Sequence, residues 1–249
     1  MSFQNIQTQL ETEFNAFQAT LNGRADSAFN LKRKKAFGHF KTLGLPTTKN
    51  EDWKYSSLKK VDKQAFTFPK KVNRDLSGDI FPKISGNRIV FINGQYSETL
   101  SDSPESKKLE ILTLKDAQKQ KTELLEEYYA KHLNQENDGA IAANIALADN
   151  GVVIFIPKNT TLEAPLTIHF ISDSQQENIA INLHNLVIAE QNSEAKIVEI
   201  YETVGENAAF EDYITEIFVK QDARVDYYKI QDENNLSTHI GTTQVYQEQ

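Results

Sequence analysis

The stretches EAKIVEIY (Glu194–Tyr201) and DARVDYYK (Asp222–Lys229) begin 28 residues apart (222 − 194) and read alike. Each sets a small residue at a turn, then a basic residue, a β-branched residue and aromatic or aliphatic positions. A recurrence of that length matches one coil of a β-solenoid, in which each turn of chain stacks on the last. The flanking sequence agrees. Val152–Ile156, Leu166–Ile171, Ile179–Ala189, Lys196–Thr203, Tyr213–Val219 and Arg224–Ile230 are short, β-branched runs separated by Asn, Asp, Gly, Ser and Gln. With two copies of the repeat, a β-sandwich is the alternative. The strand pattern continues through Val245 to Gln249, where a solenoid presents an open edge. The expectation is that the chain is cut there or that a partner covers the edge.

Upstream the period changes. Phe3, Ile6, Leu10, Phe14, Phe17 and Leu21 recur at steps of three and four, the mark of an amphipathic helix. After Asn22-Gly23 a second helix is expected from about Ser27, with Gly44 at its C-terminal end and Pro46 preventing continuation. Asn50 is the expected N-cap of a short turn starting Glu51-Asp52, and Trp53 is expected to bury against the preceding helix. Lys60 to Pro82 reads as loop, Arg88–Ile92 as a strand closed by an Asn93-Gly94 turn with Tyr96 starting the return, and Leu109–Leu114 as a short strand. A helix is expected from about Asp116 to Leu133. The fold class is therefore α+β: a helical domain with a small strand insertion (residues 1–135), then the first coils of a right-handed parallel β-helix (136–249).

Composition narrows the function. With 27 basic and 35 acidic residues the net charge is −8, which offers no bulk attraction to nucleic acid or anionic lipid. The basic run Lys32-Arg33-Lys34-Lys35 reads as the solvated face of a helix. The absence of cysteine removes disulfides, thiolate nucleophiles and thiolate-held metal centres from these residues. The opening MSFQNIQTQLETEF has no signal-peptide pattern, and the longest aliphatic–aromatic run is far too short to span a bilayer, so a cytoplasmic protein is expected.

Motifs for chemistry are sparse. His39, His132, His169, His184 and His239 form no local metal-binding pair, and each reads as a structural or surface histidine, although the last three sit in strands that can converge. Glu51-Asp52, Glu126-Glu127 and Glu211-Asp212 read as surface charge, since neighbours on a strand point to opposite faces. Asp222 and Asp226 keep a β-helix carbohydrate-active enzyme as an alternative, and a homo-oligomeric solenoid is another. No phosphate-cradling loop or nucleophile elbow occurs.

Trp53, the single tryptophan, sits in GLPTTKNEDWKYSSL (Gly44–Leu58), and packing outweighs ligand stacking for it. That segment, behind a helix carrying Arg33, Ala36 and Phe40, resembles the N-terminal signature of the SufD family, the SufB/SufD β-helix proteins. Arg88–Tyr96 and DNGVVIFIPKNTTLEAPLTIHFIS (Asp149–Ser172), with Gly151, Pro157, Glu163 and Pro165, resemble further family segments in the same order. The resemblance implies a non-enzymatic scaffold subunit for cytosolic iron–sulfur cluster assembly. Its implied partners are a SufB-like subunit, met through the β-helix, and the SufC-like ATPase, met through a C-terminal helical domain. It also implies that cluster-ligating thiolates come chiefly from SufB. The cofactor expectation is none bound by this chain alone, with the cluster handled transiently by the assembled complex. No catalytic, cofactor-binding or metal-binding residue is assigned, because the family's functional residues fall beyond residue 249.

Overall fold

A computed structural model of the protein describes residues 4–21, 27–69, 76, 80, 84–102 and 109–248. The Asn22-Gly23 break and most of the loop expected beyond residue 69 lie outside them. Among the described residues there are five α-helices and ten strands: α1 (Gln4–Ala19), α2 (Ala28–Leu43), β1 (Asn87–Ile92), β2 (Gln95–Tyr96), β3 (Glu110–Thr113), α3 (Leu114–Gln120), α4 (Thr122–Tyr128), α5 (Gly139–Leu147), β4 (Val152–Ile156), β5 (Leu166–Asp173), β6 (Ile179–Ala189), β7 (Glu194–Val204), β8 (Ala209–Val219), β9 (Arg224–Asp232) and β10 (Thr238–Gln247).

From β4 onward the chain alternates between two five-stranded sheets, ordered β2-β1-β5-β7-β9 and β10-β8-β6-β4-β3. Strands two apart in sequence pair in parallel, which makes a solenoid of about three turns with two strands per turn. A sandwich of hairpins would pair successive strands antiparallel, so the parallel ladder rejects it. Strands β1 and β3 lengthen the sheets at the N-terminal end: β1 runs parallel to β5, and β3 antiparallel to β4.

The register differs from the sequence repeat. Glu194 stands opposite Arg224, so this coil is 30 residues (224 − 194), two more than the 28 read from the matching octapeptides. The turns set this register. Asn159, Asn192 and Asp222 adopt φ of 58°, 57° and 57°, the left-handed conformation that Asn and Asp tolerate best among side-chain-bearing residues. They stack: Asn159 N donates to Gln191 O and Asn192 N to Gln221 O, each at 3.1 Å, while Asn192 Nδ2 donates to Asn159 Oδ1 at 2.7 Å. The equivalence is therefore Gln191-Asn192 with Gln221-Asp222.

Alternation on each strand gives two main buried clusters and a smaller third, with Val90, Ile92, Ile171 and Val204, on the outer face of β1, β5 and β7. On β8, Ala209, Tyr213 and Ile217 point between the sheets, whereas Phe210, Ile214 and Phe218 pack beneath the helices. The helical layer covers the outer face of β4, β6 and β8, because its Ile6, Leu10, Phe40, Tyr129 and Ile145 share one buried cluster with Val153, Leu186 and Ile188. Helix α5, GAIAANIAL, is buried on nearly every side and has no polar face. Apart from Asn144 its composition is apolar all round, which hides the helical period, so the sequence shows only the change of character near Asn144. Asp138 caps it, accepting from Ala140 N and Ile141 N at 2.8 and 3.2 Å. Asn144 docks it, donating to the backbone carbonyls of Leu183 and Asp212 at 3.1 and 2.7 Å.

Other expectations need correction. The helix expected from Asp116 to Leu133 is two helices, broken at Lys121 (φ −137°, ψ 44°), and Ala130 turns the chain at φ 55°. The Lys32–Lys35 run is not one solvated face. Arg33 is fully buried with its guanidinium 3.7 Å from the Phe17 ring centroid, and its Nε donates to Ala146 O. Lys32 Nζ donates to the carbonyls of Glu126 and Tyr129, both at 3.0 Å, where the end of α4 leaves acceptors unsatisfied. Asn50 precedes the short turn Glu51–Trp53 but does not cap it with its side chain; its Oδ1 instead accepts from Thr47 N at 2.9 Å. Trp53 is half-buried, and its Nε1 donates to Asp138 Oδ2 at 3.4 Å, tying the segment to the start of α5. The Asn93-Gly94 turn is as expected, with φ of 48° and 76°.

Candidate functional site

The inter-sheet core is mostly hydrocarbon, with polar side chains set among it on β5 to β8. Ile154, Ile168, Ile181 and Val187 fill the earlier turns. Inward positions on β5, β6, β7 and β8 also carry Ser172, Asn185, Glu199, Glu211 and Thr215, all buried. This happens because the strands keep their period of two while the sequence places polar residues at inward positions. A carboxyl group there must find donors, a proton or a cation.

Glu199 finds donors. The hydroxyls of Tyr201 and Tyr227 both donate to its Oε2, Thr215 Oγ1 donates to Oε1 at 2.7 Å, and Lys229 Nζ lies 3.8 Å from Oε2. Burial, then the nearby Glu199 charge, pushes both tyrosine hydroxyls above their ordinary range, so they remain protonated donors. Asn185 Nδ2 donates to Thr215 Oγ1 at 3.2 Å and extends the column.

Glu211 is placed differently. Ser172 Oγ donates to its Oε1, and its carboxyl faces Glu233, which lies in the loop after β9. Burial, with the Glu233 charge next, holds Glu211 well above the usual carboxylate range. Burial also opposes the charge on Glu233, but hydrogen bonds from His239 and Glu211 outweigh it and pull Glu233 down. His239 Nδ1 sits 2.8 Å from Glu233 Oε1, and its ring lies edge-on to Tyr201 at 4.7 Å. Among the described residues, Glu211, Glu233 and His239 are the one His/Asp/Glu group whose ligand atoms all lie within 4.8 Å of one another.

The sequence-based candidates are otherwise dispersed. His169 pairs with Glu202 at 2.8 Å, on the outward face of the β5–β7 sheet. His184 pairs with Glu216 at 2.9 Å beneath the helices, where Ala130 N also donates to Glu216 and the Tyr129 ring lies 4.2 Å from His184. His39 is half-buried on α2, and exposed His132 stacks on Tyr246. Glu51-Asp52 and Glu126-Glu127 are exposed, as read from the sequence. Glu211-Asp212 is not surface charge: the two residues are 1% and 2% exposed, because β8 is covered on both faces. Burial, only partly offset by Asn144, raises the Asp212 carboxyl well above its ordinary range. Asp222 is an exposed turn residue and Asp226 sits opposite Lys196 on the outward side of β9, so they share no cleft. Sequence reasoning missed Glu199 and Glu233. For Glu199 the signal was available, since it shares parity with the core residues Ala195, Ile197 and Tyr201.

Two family models match the chain end to end. "SufBD protein N-terminal region" covers residues 4–168, and "SUF system FeS cluster assembly, SufBD core domain" covers residues 170–249. An iron-sulfur cluster assembly SufBD family protein of Synechocystis is 28% identical over 260 residues, covering 97% of this chain and 56% of the relative. The iron-sulfur cluster assembly protein SufD of Escherichia coli is 26% identical over 208 residues, covering 79% and 45%, and SufD of Bacillus subtilis is 29% identical over 135 residues, covering 53% and 29%. The chain thus spans about half the length, or less, of these relatives. It belongs to the SufBD family of iron–sulfur cluster assembly proteins.

Proposed function

We propose that this chain is part of a SufD-type scaffold that works in the cytoplasm with SufB-like and SufC-like ATPase subunits to assemble iron–sulfur clusters. Its contribution is association, not catalysis. The observation that carries this reading is the unbroken succession of the two SufBD family models over a helical layer and a parallel solenoid. Relatives named SufD support the SufD side of the family. These 249 residues contain no cysteine and so offer no thiolate to a cluster. No helix among the described residues is long and apolar enough to cross a membrane.

The test is cluster loading. The full-length protein is co-expressed with the SufB-like and SufC-like subunits of its own organism, and iron and acid-labile sulfide are measured on the purified assembly with and without it. Omission lowers both several-fold if the reading is right. Equal iron and sulfide on SufB–SufC alone overturns it.

A further inference from the structure

We propose that Glu211, Glu233 and His239 form a binding site for one divalent first-row transition-metal cation inside the solenoid. The inference does not depend on the scaffold reading. It rests on three groups arriving from separate elements (strand β8, the loop after β9, and strand β10) with their ligand atoms within 4.8 Å of one another.

A second observation points to a ligand. Glu211 is 1% exposed, and its Oε2 is buried with no hydrogen-bond donor among the described residues. Its other oxygen is already taken by Ser172. The group it faces is a second carboxyl, Glu233, which is itself an acceptor. Only a shared proton or a cation satisfies both.

The site is also supported from behind. Asn234, next to Glu233, fixes the loop: its Oδ1 accepts from Leu236 N and Ser237 N, and its Nδ2 donates to the carbonyls of Gly205 and Asn207, at 2.9 to 3.0 Å. Gly241 makes room for the imidazole, because a Cβ there would come within 2.8 Å of His239 Nε2. Ser172 holds the Glu211 carboxyl as an outer partner, the arrangement that orients metal ligands generally. The side chains of Glu233 and His239 are only 5% and 11% exposed, so a bound ion is largely shielded from water.

The donor set selects the ion. Two carboxylates and an imidazole, without sulfur, suit Fe²⁺, Mn²⁺, Co²⁺ or Zn²⁺ and disfavour Cu⁺. Bonds of about 2.0–2.2 Å put ligand atoms roughly 3.0–3.5 Å apart, so the widest pair closes by about 1 Å, while His239 Nδ1 and Glu233 Oε1, 2.8 Å apart, exchange their hydrogen bond for bonds to the ion. The cation displaces the proton between the carboxyl groups. Lys229, the nearby positive charge, is directed toward Glu199, with Nζ 3.8 Å from Oε2.

The experiment titrates the full-length protein anaerobically with Co²⁺, read by visible d–d absorption, and with Fe²⁺, read by calorimetry. The proposal expects one equivalent bound, with Glu211→Gln, Glu233→Gln and His239→Gln each weakening binding at least tenfold. Co²⁺ also raises the thermal midpoint of the parent protein but not of the variants. If Glu211→Gln fails to fold, the other two decide, since they alter a loop and the last strand. No binding by the parent protein means that the carboxyl groups only share a proton. Binding of equal strength by the folded variants means that the ion sits elsewhere. Either result overturns the site.

Discussion

Glu199 and Glu211 solve the same problem in opposite ways. Both carboxyl groups are buried between the sheets, but Glu199 is met by three hydroxyls whereas Glu211 meets one hydroxyl and another acid. Removing a donor from Glu199 therefore leaves a buried acceptor unpaired. Thr215→Val should destabilise the protein by about 1–3 kcal/mol in chemical denaturation. A change within measurement error would show that the network is not formed. Trp53 gives the contrasting expectation. Its indole N–H makes one long bond to Asp138 while the ring packs on the helical core. Trp53→Phe should cost about 0.5–1.5 kcal/mol and leave association with partner subunits intact. Loss of association without loss of stability would make Trp53 a contact residue, contrary to its reading as an anchor.

At the level of elements, the stacked turns and helix α5 carry the architecture. Asn192 holds φ at 57°, where a β-branched side chain is strained and glycine is not. Asn192→Val should lower stability by about 1–3 kcal/mol, and Asn192→Gly by clearly less. Equal losses would mean that the side-chain bond to Asn159, not the backbone conformation, fixes the turn. Asn144 satisfies two strand carbonyls from within α5, so Asn144→Ala should cost about 1–3 kcal/mol for each acceptor orphaned and speed amide exchange in α5 ahead of β6 and β8. Uniform exchange across α5 and the strands would contradict that docking role.

The same elements show what could be read from the sequence. The strands were legible because β-branched runs between Asn, Asp and Gly survive burial on both faces. Helix α5 was not, because a helix apolar on every side except for Asn144 loses its period. The register was misread by two residues because coils differ in length. Glu194 to Arg224 spans 30 residues and Phe210 to Thr238 spans 28, so octapeptide similarity and spatial equivalence part company. The polar column was missed for another reason. Whether a carboxylate on a strand meets water depends on what covers that strand, and the cover over β8 comes from residues far away in sequence.

For the whole molecule, the helices sit on one sheet and the polar column crosses the space between the sheets from β5 and β6 to β9. The central claim is association with SufB-like and SufC-like subunits. It is tested most directly by native mass spectrometry of the chromosomally tagged protein captured from its own cells. The account predicts a stable assembly containing both subunits in whole-number ratios. Capture of the protein alone, or only with copies of itself, from cells that express both subunits would contradict it.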